Sequence, residues 1–275
     1  MKNSKPTSPS SSGEGFKSVF AAIVIPLEIL IAILIYVYFL GDPSNFVGGD
    51  VEGKSLNYFG TMHQGGFIVP GLIALALMVI TFSIERFITI SAAKGKGNLK
   101  AFVRRIQTLV AQDNIAQAVA ECDKQKGSVA NVVKAGLSKY NDLSTDRTVE
   151  PDKKVLIIQK DIEETTLLEL PMLEKNLVII ATIASIATLL GLLGTVLGMI
   201  RAFAAMANAG AADAVGLAAG ISEALINTAL GIGTSALAIV MYNYFTSAID
   251  ALTHGIDEAG FSIVQNFTAK TKSTL

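Results

Sequence analysis

The stretch IIATIASIATLLGLLGTVLGMIRAF (Ile179–Phe203), followed after a short Ala/Gly-rich link by GISEALINTALGIGTSALAIVMYNY (Gly220–Tyr244), decides the architecture. Each run exceeds the roughly 20 apolar residues with which a helix crosses a bilayer, where every backbone amide must be bonded inside its own segment. Two such runs this close together read as a transmembrane helical hairpin. Yet each carries side chains that a membrane helix does not need: Thr182, Ser185, Thr188, Thr195 and Arg201 in the first, and Ser222, Glu223, Asn227, Thr228, Thr234 and Ser235 in the second.

Their spacing is informative. If the hairpin turns near Ala212, residues equidistant from the turn lie at one depth, because both helices rise about 1.5 Å per residue. Thr195 then shares a level with Thr228, Thr188 with Ser235, and Arg201 with Glu223. Thr188 and Thr195 are two helical turns apart, as are Thr228 and Ser235, so each pair keeps nearly one face. Two explanations stand for these hydroxyls: stripes that border a shared polar space, or helix-packing glue, since a membrane Ser or Thr can bond its own backbone. The glycines, with Gly194/Gly198 as a GxxxG pair, read first as sites of close helix approach. A charge in the apolar layer costs about 2.5–3.5 kcal/mol, so Arg201 and Glu223 are expected to pair, either structurally or at the outer end of a polar interior. Arg201 is also near enough to the surface to snorkel.

Outward from the hairpin, two more runs are long enough to span, at residues 19–40 and 67–91, giving an all-α protein with four transmembrane helices. The first run reaches Leu40 before Gly41-Asp42-Pro43, longer than the roughly 7–15 residues of a secretory signal, and is expected to be an uncleaved span. Residues 1–18 form a Ser/Pro/Gly-rich tail without the composition to bury a core. Residues 41–66 carry Asp42, Asp50 and Glu52 against Lys54 alone. Residues 92–175 are rich in both signs, with Lys94, Lys96, Lys100, Arg104 and Arg105 beside the membrane, and the positive-inside rule makes them cytoplasmic. That places both termini inside, 41–66 outside, Ala207–Ala214 as a short outside turn, the hairpin at 176–248 and a cytoplasmic tail at 249–275.

The cytoplasmic insert reads as helical. Asn98 and Asp113 are expected N-caps before Phe102, Ile106, Leu109 and before Ile115, Val119, and Pro151 is placed to open another helix. From there Val155, Ile158, Ile162, Leu167 and Leu170 run almost directly into the third span, which predicts one long helix kinked at Pro171. Charged neighbours such as Glu163/Glu164 and Lys153/Lys154 read as a solvated face. Glu85 and Arg86 read as an interfacial pair at the rim of the second span. Glu28, inside the first, is open between a protonated group, an interfacial one and one bonded to a neighbouring helix.

Composition narrows the function. The 275 residues are 51% hydrophobic and only 16% charged, against about 25% charged in a soluble domain, and the net charge is −1. Nucleic acid is excluded for want of a basic stripe. The single Cys122 excludes a disulfide framework and a cysteine zinc cluster, and His63 and His254 stand far apart, so no metal or other cofactor is expected. No HExxH occurs, GLLGTVLG lacks a phosphate-loop lysine, and Gly231-x-Gly233 follows no strand, which argues against an enzyme.

The segments GLLGTVLGMI (Gly191–Ile200) and GISEALINTALGIGTSALAIVMYNY (Gly220–Tyr244) resemble the MotA/TolQ/ExbB proton-channel family, on its ExbB-like biopolymer-transport side, and the IERF ending of the second span (Ile84–Phe87) resembles it more loosely. The resemblance implies a bacterial inner-membrane homo-pentamer around a central pore. It implies a single-span ExbD/TolR-type partner whose membrane aspartate takes and releases protons, and a TonB-type protein driven by the motor to energise transport across the outer membrane. By position, Thr195, Thr228 and Glu223 match the family's pore residues, with Thr188 and Ser235 extending the same lining. The chain departs from the pattern at Thr188, Ala219 and Leu237, where the family often has proline, and in its additional first span. The added hydroxyls leave sodium coupling open beside proton coupling. A TolQ-like envelope role, a motility stator and a non-conducting scaffold are the alternatives.

Overall fold

The computed structural model describes residues 12–51, 53–146, 148–209 and 214–273. Over them the chain is helical, with one isolated bridge between Phe46 and Ser55 and no strand. The helices are α1 (Ser12–Leu34), α2 (Tyr58–His63), α3 (Val69–Lys94), α4 (Leu99–Ala111), α5 (Ile115–Gln125), α6 (Gly127–Thr145), α7 (Pro151–Glu174), α8 (Leu177–Ala209) and α9 (Ala214–Ser273). As expected, four runs are long and apolar enough to cross a membrane: Phe20–Leu40, Gly66–Ala111, Pro151–Ala207 and Ala214–Lys270. The turn expected near Ala212 and the tail before Ser12 lie outside the described residues. Two compact units result, residues up to Phe82 with Ile179–Val240, and Ser83–Val178 with Met241 onward.

In the first unit, α8 and α9 approach at backbone distance. A Cβ on Gly191 would fall 2.9 Å from the Asn227 carbonyl oxygen and 3.1 Å from the Gly231 Cα, and one on Gly198 would fall 2.7 Å from the Gly220 carbonyl oxygen. Packing thus accounts for these glycines. Gly233 meets nothing within 4 Å and takes no part in that contact.

The segment between the first two spans, expected only to be outside, is a built cap. The first span ends in a π turn (Ile35–Leu40), closed by the Gly41 N–H donating to the Tyr36 carbonyl at 3.0 Å. Asn45 is buried at its centre: its amide donates to the Phe39 and Leu40 carbonyls (2.8 and 3.1 Å), and its side-chain oxygen accepts from Asn57 at 2.9 Å. Asn57 also caps α2, accepting from the Gly60 N–H at 3.0 Å. Two Ser44 donors, hydroxyl and backbone, hold the exposed Asp42 carboxyl below its ordinary range.

His63 closes the cap. Its ring stacks on Tyr36 at 4.5 Å between centroids and meets the edge of buried Phe46 at 5.7 Å. Burial pushes the imidazole below its ordinary value, so the folded cap binds a proton less readily than the unfolded segment does. The cap is therefore most stable above about pH 6.5 and loosens as pH falls through that value toward the lowered one. Amide exchange over Tyr58–His63 is expected to quicken on acidification in the native chain and to lose this dependence in His63→Phe.

The second unit gathers α4 to α7 and the far end of α9. Asn98 caps α4 as expected, accepting from the Ala101 N–H at 3.3 Å, and α4 buries Leu99, Phe102, Val103, Ile106 and Val110. The cap of α5 is Asn114, not Asp113. Asp113 adopts φ 56°, a conformation that Asp and Asn tolerate better than most, and its carboxylate accepts from Lys270 (2.6 and 2.7 Å) and Tyr140 (3.3 Å). Burial, then the Asp113 charge, push the Tyr140 hydroxyl up to about 12. The stretch expected as a tail continues α9 to Ser273 and buries Ile249, Leu252, Ile256, Ala259, Ile263 and Phe267 at helical spacing.

The expected single long helix is two. Pro171 sits inside α7, and the break falls beyond it, at Lys175 and at Asn176 with φ 67°. Arg86 explains the place. Buried to 2% exposure, it donates from Nη1 to the Leu173 and Met172 carbonyls (2.9 and 3.3 Å), taking acceptors that the end of a helix leaves free. Its Nε and Nη2 engage Glu85, which also accepts from Asn176 at 3.3 Å. The Glu85/Arg86 pair therefore also terminates α7.

Candidate functional site

The polar side chains of α8 and α9 fall in layers along the hairpin. In the middle layer Thr195 Oγ1 and Thr228 Oγ1 lie 3.0 Å apart, each half-buried. Both reach the Gly191 carbonyl, at 3.2 and 3.5 Å, so one hydroxyl donates to the other while its neighbour donates to the backbone. The carbonyl is accessible because Gly191 packs directly on Gly231. The pair can pass a proton along itself without holding a fixed charge.

One layer further out, Arg201 Nη1 lies 2.6 Å from Glu223 Oε1. The two side chains are unequally placed, Glu223 at 8% exposure and Arg201 at 52%. The carboxylate is thus enclosed while the guanidinium bridges outward, combining the pairing and the snorkelling considered for it. Asn227, one turn along α9 from Glu223, is fully buried and donates from Nδ2 to the Gly65 carbonyl at 2.7 Å.

The inner layer does not meet as expected. Ser235 is buried and donates to the Ala184 carbonyl, not to Thr188, and Thr188 is exposed on α8. Thr234 is buried beside it in sequence. Around these layers large apolar side chains stay uncovered in the single chain, among them Leu189, Leu192, Val196, Leu225 and Ile232. Lipid or neighbouring helices suit such faces.

Sequence reasoning named Asn227 without giving it a partner or a role, and passed over Gly66 and Phe67. A signal was available for the first: an amide in the middle of an apolar run needs a partner. Nothing in helical spacing pointed to the turn before α3 as that partner. Among the described residues no three His, Cys, Asp or Glu side chains cluster as metal ligands. Cys122 is buried in the second unit, and burial foremost pushes its thiol up to about 12.

Hydroxyls and an ion pair inside the last hairpin, in a protein with four runs long and apolar enough to cross a membrane, are features suited to a membrane transport component. Residues 124–258 match the model of the MotA/TolQ/ExbB proton channel family, a segment that takes in Thr195, Arg201, Glu223 and Thr228. The chain is 40% identical to an ExbB-like biopolymer transport protein of Synechocystis sp., over 31% of this chain and 42% of that protein. It is 31% identical to the Tol-Pal system protein TolQ of Pseudomonas aeruginosa, over 50% of this chain and 58% of the relative. The biopolymer transport protein ExbB of Pseudomonas putida is 25% identical over 78% of this chain and 66% of its own length. The chain thus spans about half the length of the first two.

Proposed function

We propose that this protein is the channel-forming subunit of an ExbB-type motor in a bacterial inner membrane. The observation that carries the reading is the Thr195–Thr228 hydroxyl pair, half-exposed at the middle of an apolar hairpin with Glu223 one layer above it. Five copies enclose a pore, and an ExbD-type single-span partner sits in it with its carboxyl group facing the hydroxyls. These donate to the carboxylate when it is ionised and accept from it when it is protonated, so the ion is stabilised without being trapped by a fixed opposite charge. Thr188, exposed on α8, extends the polar lining inward, while Ser235 is buried behind it against the Ala184 carbonyl. Proton flow turns the assembly, and a TonB-type protein carries the work to transport across the outer membrane. The basic residues Lys94, Lys96, Lys100, Arg104 and Arg105 support an orientation with both termini on the cytoplasmic side.

Similarity to TolQ favours a second reading, in which the same pore serves envelope maintenance. The partner separates them. Purification of the full chain from its native membrane, with mass spectrometry of what travels with it, is expected to return a small single-span protein bearing one membrane aspartate. Encoding beside a TonB-type or a Tol-type protein then decides between the readings, and absence of any such partner overturns the motor.

A further inference from the structure

We infer that the turn Gly65–Phe67, which joins the outer cap to α3, positions Glu223 from outside the hairpin, an inference resting on the reading of Glu223 as a pore group. Three contacts converge. The Gly65 carbonyl accepts from buried Asn227 at 2.7 Å, fixing the face of α9 that also carries Glu223 one turn earlier. Gly66, at φ 76°, lies so close to the ion pair that a Cβ there would fall 2.6 Å from Glu223 Oε1 and 3.3 Å from Arg201 Nη1. The Phe67 ring lies under the Arg201 guanidinium, 5.7 Å from centroid to Cζ.

The turn is itself held from the other side. The Tyr36 hydroxyl, on the first span, donates to the His63 carbonyl at 3.1 Å; Gln64 donates to the Gly53 carbonyl at 2.8 Å; and the Gly65 N–H donates to the Met62 carbonyl at 3.1 Å. A chain of direct contacts thus runs from the additional span through the cap to the carboxylate. The extra span thereby anchors a turn of backbone that holds Glu223 against Arg201. Displacing the turn releases Glu223.

The test is labelling of the full chain, with any co-purifying partner, in phosphatidylethanolamine/phosphatidylglycerol vesicles by dicyclohexylcarbodiimide, which reacts with carboxyl groups inside the bilayer. Adducts at Glu223 and at Glu28 are counted separately by peptide mass spectrometry. Glu223 in the native chain is expected to label weakly. Gly66→Ala and Phe67→Ala are expected to raise its labelling at least fivefold with Glu28 unchanged, while Phe67→Tyr, which keeps a ring under the guanidinium, stays at the native level. A rise at both carboxyls in Gly66→Ala means that the variant has lost its fold, and Phe67→Ala then decides. Native labelling of Glu223 in Phe67→Ala overturns the inference. Because the readout is local chemistry and not ion flux, failure here leaves the channel reading standing, and failure of that reading leaves this measurement unaltered.

Discussion

Thr195→Val and Thr228→Val are each expected to leave the complex assembled at native yield and to abolish its ion-driven work, a fall of at least tenfold in flux. Valine keeps the branched shape that packs between α8 and α9, so the only loss is the hydroxyl. A neutral hydrogen bond of this kind contributes about 0.5–1.5 kcal/mol net, and the surviving hydroxyl retains the Gly191 carbonyl as its acceptor. Stability therefore moves little. On the proposed channel reading, conduction falls because the remaining hydroxyl has no second one to hand a proton to, and the carboxylate proposed to face it loses a donor. Thr195→Ser, which restores the hydroxyl with one methyl fewer, is expected to recover most of the flux. Proton uptake by vesicles holding the full complex, read beside complex yield on a sizing column, checks both properties. Full flux in Thr195→Val at normal yield sinks the channel reading; a parallel fall of flux and yield assigns these hydroxyls to helix packing.

What is legible in the amino-acid sequence follows the regularity of the helix. Constant rise places Thr195 opposite Thr228 and Arg201 opposite Glu223, and hydropathy alone marks the four spans. Where side chains choose between neighbours a fraction of a turn apart, regularity is not enough. Ser235 takes the Ala184 carbonyl because the close approach of two small-residue faces brings backbone within reach of its short side chain, and Thr188 is left outside. The cap of α5 is missed by one position for a similar reason: Asp113 and Asn114 are chemically alike, and only the claims of Lys270 and Tyr140 on Asp113 leave the capping to Asn114. The cap between the first two spans is illegible. Asn45 bonds the Phe39 and Leu40 carbonyls, Asn57 bonds the Asn45 side chain and Gln64 bonds the Gly53 carbonyl, pairings that have no period, and the bond from Asn227 to Gly65 spans 162 positions.

Arg86→Met is expected to destabilise the protein by about 3–5 kcal/mol, the cost of breaking a buried ion pair by removing one partner. The side chain is 2% exposed and every one of its nitrogens is engaged: Nε and Nη2 on Glu85, Nη1 on the Met172 and Leu173 carbonyls. Methionine fills much of the volume but donates nothing, so two carbonyls in the last turn of α7 go unpaired and Glu85 keeps only Thr89 (3.1 Å) and Asn176 (3.3 Å) as donors. Lysine is a poor substitute, since one ammonium on a flexible stem cannot reach the carboxylate and both carbonyls as a planar guanidinium does. Arg86→Lys is therefore expected to fall between the two. The double variant Glu85→Met/Arg86→Met removes the uncompensated charge and is expected to recover part of the loss, leaving the cost of the two carbonyls. Denaturant unfolding in detergent gives the ordering of the four proteins. Amide exchange at Met172–Asn176 locates the damage: faster exchange confined there ties Arg86 to the end of α7, whereas unchanged exchange there in a destabilised Arg86→Met would remove the terminating role assigned to it.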